Sequence, residues 1–217
     1  MWTQLTKKKL SKDLLKYNSR IHIDHPAASS IFQANLDLFI TQLYDQTTQL
    51  IILCIGTDRS TGDSLGPLVG SKLKAMDCME NVPIYGTLDE PVHAVNLPKN
   101  IKTITDEYPN SFILAVDACL GRTESVGYIS IKEGPLQPGT GVNKSLPAIG
   151  DLHIVGIVNV GGFMEYMVLQ NTRLSLVMKM AEIISEGIAN EVLNNLQIRL
   201  PQFTSPSETP CLETTNQ

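Results

Sequence analysis

Two aspartates and the polar loop around the first of them are the residues of this chain most suited to chemistry. Asp63 lies in a loop that follows the apolar run from Ile51 to Ile55, and Asp117 ends a second apolar run that starts at Ser111. Two carboxylates in one cleft cannot both ionise cheaply, so such a pair shares a proton and titrates as a unit. One member could then act as base and the other as acid toward a bound water.

The loop that carries Asp63 holds more polar groups than a helix cap requires. It lies between a predicted buried strand and a predicted helix whose apolar spacing starts near Gly66-Pro67. We predict that its side chains support the acid pair or bind substrate, together with Arg122. The supporting residues within the loop are Thr57, Asp58, Arg59, Ser60 and Thr61. Ser60, Thr61 and the first amides of the helix could orient the pair or stabilise developing negative charge.

Simpler roles for these residues stay open. Asp63 or Ser64 could cap the helix, because short polar side chains satisfy free amides at a helix start. Asp117 could cap a turn. Arg59 and Arg122 each lie near an aspartate in the sequence, and an ion pair with either would favour fixed charges over a working pair.

Composition and motifs exclude several classes of function. The loop lacks the Gly-Lys-Ser/Thr ending of a P-loop and the three close glycines of a dinucleotide site. A net charge of -5 argues against a broad nucleic-acid surface. No window is apolar for long enough to span a membrane, and we expect no membrane partner. The four scattered cysteines lack zinc-site spacing and predict a reducing, intracellular compartment.

The chain is predicted to form an α/β fold. A helix is expected over 31–44, a strand before the Asp63 loop, a helix to about residue 79 and a strand over 82–88, near an edge of the sheet. A helix over 94–108 should lead into the strand that ends at Asp117. Further strands are expected over 126–132 and 152–158, followed by a C-terminal helical region. Helical connections favour parallel pairing, which would bring Asp63 and Asp117 to one edge of the sheet.

The expected domain organisation is one domain with irregular ends. Residues 1–28 are polar and are expected to be loosely ordered, and residues 29–199 to form a single α/β domain. Residues 200–217 are short of apolar side chains and are expected to be a disordered tail.

Two segments of the sequence resemble a known family. The run from Cys54 to Pro67 looks like the signature of the YyaC family of sporulation proteins, and the run from Val158 to Tyr166 resembles a second segment of that family. This resemblance covers about residues 30 to 195. It implies a protein of the cytoplasm, in the forespore or spore interior.

A more distant resemblance connects three segments to the germination protease of spores, which shares its fold with the hydrogenase maturation endopeptidases. The segments are 63–67, 116–118 and 138–142. This resemblance implies a three-layer α/β/α sandwich with a mostly parallel sheet, a protein or peptide substrate, and catalytic aspartates at Asp63 and Asp117. The chain is much shorter than the germination protease, so a propeptide and substrate-positioning elements of that protease are expected to be absent.

The resulting hypothesis is a peptidase in which Asp63 and Asp117 activate water for attack on a peptide carbonyl. In the maturation endopeptidases, two such acids bind a nickel-like ion with a histidine. Neither His93 nor His153 is evidently placed for that role here, so no cofactor or metal is predicted, although a divalent ion at Asp63 and Asp117 is conceivable. The rival hypothesis is a binding module of the same fold that recognises a basic peptide or a divalent ion. The sequence does not indicate an oligomeric state.

Overall fold

A single six-stranded sheet forms the centre of the protein. The computed structural model describes residues 19–45, 48–138 and 146–196. The strands are β1 (Arg20–His22), β2 (Gln49–Cys54), β3 (Ile84–Tyr85), β4 (Ser111–Gly121), β5 (Tyr128–Glu133) and β6 (Leu152–Val160). Their order across the sheet is β1-β5-β6-β4-β2-β3. Strands β3, β2, β4 and β6 pair in parallel, whereas β5 and β1 are antiparallel to their neighbours.

Helices cover both faces of this sheet. They are α1 (Ala28–Leu43), α2 (Leu65–Lys74), α3 (Leu97–Glu107), α4 (Glu165–Gln170) and α5 (Leu174–Glu191). The larger core lies on one face, where α1, α2 and α5 pack against alternate residues of the strands. A smaller core lies on the other face, where Leu97 and Ile104 of α3 pack against β2 and β4. The predicted α/β class and its three layers are therefore observed.

Most predicted elements are present, with shifted ends. The strand expected over 82–88 is reduced to two residues, and it lies at the edge of the sheet as its proline indicated. Pro98 lies in the first turn of α3 and does not break it, because that position needs no amide donor. Helix α1 starts at Ala28, and neither Ser29 nor Ser30 caps it, since the N-cap is Ala27 without a side-chain hydrogen bond.

The N-terminal boundary differs from the expectation of loose order over 1–28. Residues 20–22 form β1, which pairs with Tyr128 to Ser130 of β5. Ile21 and Ile23 are buried in the larger core, so alternate residues of this short segment are held by apolar contact. Residues 1–18 and the expected tail over 200–217 lie outside the described residues.

Strand β4 runs past the end of its neighbour β2. The last residue pair between them is Cys54 with Val116, whereas β4 continues to Gly121 beside β6. Asp117 is therefore the first residue of β4 beyond β2, and it lies within the strand. The predicted strand end at Asp117 is wrong, because β6 supplies a partner for four more residues.

Close backbone approaches hold the Asp63 loop against the sheet. A side chain at Gly66, in the first turn of α2, would place its Cβ 2.1 Å from the carbonyl oxygen of Ile55. Gly56 adopts a φ of 143°, and a Cβ there would lie 2.0 Å from the Asp63 carbonyl oxygen. Glycine is suited to both positions because it has no Cβ.

Candidate active site

Asp117 is a buried carboxyl group within β4. It is only 7% exposed, and its Oδ1 accepts a hydrogen bond of 2.8 Å from its neighbour, the amide of Ala118. Burial raises the pKa of Asp117 well above its usual range, and the nearby charge of Asp63 raises it further. The Ala118 amide opposes this rise. The side chain therefore favours its protonated form.

Asp63 acts on the charge of Asp117 from a different element. It is the middle residue of the 3-10 turn Gly62–Ser64, which leads directly into α2. Burial raises the pKa of Asp63, while the backbone amide of Thr57 and the charge of His93 lower it. The same Thr57 amide donates a hydrogen bond of 3.0 Å to the Asp63 carbonyl oxygen, which ties the turn to the end of β2.

The simpler role of helix capping does not account for these aspartates. Ser64 is the N-cap of α2, but it makes no side-chain cap bond, and its hydroxyl donates instead to the Thr61 carbonyl at 2.7 Å. Asp117 cannot cap a turn because it lies inside β4. The structure therefore shows no side-chain cap at the start of α2 and no turn at Asp117.

The two arginines do not neutralise the pair. Arg122 is exposed, and its guanidinium lies 4.0 Å from Glu124. Arg59 is also exposed, and it forms no ion pair with the described residues. Within the described residues, neither arginine therefore fixes Asp63 or Asp117 as a permanent charge.

The other predicted loop residues divide between the interior and the surface. Ser60 is 6% exposed, and its hydroxyl has no hydrogen-bond partner among the described residues. Thr61 and Thr57 are half-buried, and the Thr57 hydroxyl contacts Asp58 at 3.4 Å and the Arg59 amide at 3.3 Å. Asp58 and Arg59 are exposed. Only Ser60, Thr57 and Thr61 therefore belong to the interior part of the loop.

His93, which the sequence did not evidently place as a metal ligand, acts on the charge of Asp63. It follows Val92, whose carbonyl accepts a hydrogen bond of 2.8 Å from Gly56, so it lies beside the Asp63 loop. Its Nδ1 accepts the Val95 amide at 3.3 Å when the ring is neutral, and a positive charge on the ring lowers the pKa of Asp63. The sequence could have indicated the position of His93 only through the segment after the edge strand β3, which runs back along the end of β2. His153 is buried and bonded to the Gly134 carbonyl at 2.7 Å.

Neither a metal centre nor a cysteine site is indicated by these side chains. Within 19–45, 48–138 and 146–196, no group of three His, Cys, Asp or Glu residues is placed to hold a metal ion. Burial and the charge of Asp117 raise the pKa of Cys119 to about 11, which disfavours the thiolate. In the described helices, none is long and apolar enough to cross a membrane.

An open groove of about 420 Å³ lies between the end of β6 and α4. Its lining residues include Asn159, Phe163 and Met167, and Phe163 is 89% exposed. Met164 adopts a left-handed φ of 58°, which turns the chain into α4. The site of a Cβ on Gly62 is only 2.8 Å from both Leu169 and Thr172, so the α4 region packs against the turn that carries Asp63.

Comparison with known proteins identifies the family. The chain is 61% identical over 140 residues to the uncharacterized protein YyaC of Bacillus subtilis (strain 168), which covers 64% of this chain and 68% of that protein. It is also similar to a [NiFe] hydrogenase maturation protease, HycI, from Thermococcus kodakarensis KOD1, with 20% identity and a TM-score of 0.49 over 68% of this chain and 94% of that one. A family model described as "Protein of unknown function (DUF1256)" matches residues 20–187. The chain therefore belongs to the DUF1256 family.

Proposed function

We propose that this protein is a peptidase in which Asp63 and Asp117 hydrolyse a peptide bond. The observation that carries the proposal is the buried Asp117, whose pKa is raised by burial and by the charge of Asp63. Buried, mutually repelling carboxyl groups are costly to maintain, and they are concentrated at catalytic sites. A function in sporulating cells, in the cytoplasm or spore interior, belongs to the same proposal and rests on the sequence resemblance.

The two aspartates differ in their surroundings, and this difference assigns their roles. Asp117 is the more buried and holds the shared proton. Because its Oδ1 accepts the Ala118 amide, the proton resides on Oδ2. Asp63 has the Thr57 amide and His93 to favour its negative charge, so it is the ionised member.

The reaction then proceeds by proton transfers between these two groups. Asp63 takes a proton from water as the water oxygen attacks the peptide carbonyl carbon. Asp117 gives its proton to the carbonyl oxygen, which forms a neutral tetrahedral intermediate. When this intermediate collapses, the C–N bond breaks, Asp63 passes its proton to the leaving amine, and Asp117 recovers its proton from the hydroxyl group. Both carboxyl groups end in their starting states.

Two further features of the Asp63 loop and its neighbourhood support the proposal. The hydroxyl of Ser60, in the loop that carries Asp63, is buried and has no partner in the part of the chain that the structure describes, so its hydrogen-bonding capacity is left for a group outside those residues. The groove beside α4 is apolar on the Phe163 and Met167 side and provides a place for a substrate side chain.

A non-catalytic binding module remains the rival function. The same cleft could bind a basic peptide or a divalent ion through Asp63 and Asp117 without cleavage. The raised pKa of Asp117 favours the peptidase, because a neutral carboxyl attracts cations less than a pair of fixed charges would.

Cleavage of a complex peptide mixture tests the proposal. Peptides prepared from a bacterial proteome are incubated with the wild-type protein, and new termini are identified by mass spectrometry. We expect Asp63→Asn and Asp117→Asn to reduce the rates at the identified sites by about a thousandfold or more, because each removes an acid or base. Asp106→Asn, at an exposed position of α3, is the matched control and should cleave normally. If no site depends on the pair, the proposal is wrong.

A further inference from the structure

A row of side chains crosses the sheet from Asp117 to its antiparallel edge. Asp117 of β4 is paired with Val155 of β6, Val155 with Ser130 of β5, and Ser130 with Arg20 of β1. Paired residues of neighbouring strands point to the same face of a sheet. Since strands lie about 4.8 Å apart, Ser130 is about 10 Å and Arg20 about 14 Å from Asp117 along this row.

The end of this row away from Asp117 carries polar side chains, and they lie on the same face of the sheet as Asp117. Ile129 and Ile131 of β5 and Ile21 of β1 point into the larger core, so Ser130, Lys132 and Arg20 point to the opposite face. Lys132 lies two positions from Ser130 along β5 and is paired with His153, and we call Arg20, Ser130 and Lys132 together the basic row. Ser130 is 4% exposed, and its hydroxyl has no hydrogen-bond partner within the described ranges. An unpaired buried hydroxyl is costly, which indicates that a further group satisfies it.

The positive charges of the basic row form no ion pair with a carboxylate of the described residues. The Arg20 guanidinium lies 4.8 Å from the ring centre of Tyr128, and neither it nor Lys132 has a carboxylate within ion-pair distance in the described residues. Both charges act on the thiol of Cys119, whose pKa they lower against the effects of burial and Asp117. The basic row therefore lies close enough to influence a residue two positions beyond Asp117.

We propose that the basic row binds a carboxylate of the peptide substrate. A guanidinium, an ammonium group and a hydroxyl are each donors that a carboxylate accepts. The distance of about 10 to 14 Å places this carboxylate about three to four extended residues from the bond that is cleaved. The role as a substrate subsite rests on the proposed function, whereas the binding of a carboxylate does not.

Binding of small probes tests the basic row without any cleavage. The ¹⁵N-labelled protein is titrated with three compounds while its amide signals are followed. N-acetylglutamate α-amide offers only a side-chain carboxylate, N-acetylglutamine offers only a terminal one, and N-acetylglutamine α-amide offers none. We expect at least one carboxylate to shift the amide signals of 20–22 and 128–132 in a saturable manner, and the neutral compound to leave them unchanged. The probe that binds identifies the source of the carboxylate.

Single variants decide whether the basic row is responsible. Arg20→Gln and Lys132→Gln should each weaken carboxylate binding about fivefold or more, since each removes one charge. Lys74→Gln makes the same charge change at the end of α2, on the opposite face, and should bind as the wild type does. The spectrum itself reports whether each variant is folded. Equal shifts with the neutral compound, or unchanged binding in Arg20→Gln, would overturn the proposal. If carboxylates bind but no peptidase activity is found, the basic row is a carboxylate-binding site and the catalytic role proposed for Asp63 and Asp117 is wrong.

Discussion

The charge of Asp63 acts on the carboxyl group of Asp117, although the two residues come from a turn and a strand of different parts of the fold. Asp63 lies in the turn between β2 and α2, whereas Asp117 lies inside β4. Their interaction raises the pKa of Asp117, on which burial has the larger effect. The pair exists because β2 ends at Cys54 while β4 continues, which leaves room for the turn beside Asp117.

The first prediction concerns stability as a function of pH. A carboxyl group with a raised pKa stays protonated in the folded state while the unfolded chain ionises above its model value of 3.8. The folded state then binds more protons, so the free energy of unfolding falls as pH rises from about 4 toward the raised pKa. Each tenfold difference in proton affinity corresponds to about 1.4 kcal/mol.

Urea unfolding between pH 4 and 8 measures this effect. The wild type should lose stability over this range, and Asp117→Asn should lose less because it has no proton to release. Asp106→Asn is the control for the loss of one exposed carboxylate and should follow the wild type. Parallel curves for wild type and Asp117→Asn would contradict the buried, protonated state.

The second prediction concerns the pH dependence of catalysis. Activity requires an ionised Asp63 and a protonated Asp117, so kcat/KM should rise with pH as Asp63 ionises and fall as Asp117 loses its proton. The pKa of both groups is raised from 3.8, so both limbs should lie above the range of ordinary aspartates. A pH profile on any identified peptide substrate provides the test, and a rate that keeps rising with pH would contradict the role of Asp117.

The third prediction concerns His93. Its charge favours the ionised form of Asp63, so His93→Gln should raise the pKa of Asp63 and move the acid limb of the profile to higher pH. The basic limb depends on Asp117 and should move less. His25→Gln replaces an exposed histidine and should leave both limbs in place. An unchanged acid limb in His93→Gln would show that this histidine does not act on the pair.

The fourth prediction concerns the contact between α2 and β2. Alanine normally stabilises a helix relative to glycine, but a Cβ at Gly66 would lie 2.1 Å from the Ile55 carbonyl oxygen. Gly66→Ala should therefore destabilise the protein by about 1 to 3 kcal/mol, because the helix must move. Since α2 continues directly from the Asp63 turn, turnover should fall as well.

Gly134→Ala separates this clash from the general cost of replacing a glycine. Gly134 has a φ of 90°, and no heavy atom lies within 4 Å of the site of its Cβ, so alanine there meets only backbone strain. It should reduce stability without affecting turnover. If Gly66→Ala were as stable as the wild type in thermal unfolding, the close approach would not hold the turn in place.

The sequence predicted the fold class because its elements have clear periodicity. Apolar runs identified β2, β4 and β6, and the alternation of apolar side chains in β5 was visible as well. Strand β1 was missed because three residues are too few to show a period of two, and only pairing with β5 makes them a strand.

Both aspartates were identified from the sequence, but several of the groups around them were not. Asp63 and Asp117 each follow an apolar run, which is a local signal. The contribution of His93 depends on how the segment after β3 returns past β2, and the exposure of Arg59 and Arg122 depends on side-chain directions. Neither is encoded in local spacing. The basic row likewise requires the register of four strands, which no single segment contains.

The most direct test of the acid pair is the titration of its carboxyl carbons by NMR. With ¹³Cγ-labelled aspartate, the signals of Asp63 and Asp117 can be assigned from the Asp63→Asn and Asp117→Asn variants and followed with pH. We predict that the pKa of Asp117 lies well above 3.8 in the wild type and falls in Asp63→Asn, where the repelling charge is absent. An Asp117 that titrates like an exposed aspartate, or whose pKa is unchanged in Asp63→Asn, would contradict the pair and the chemistry derived from it.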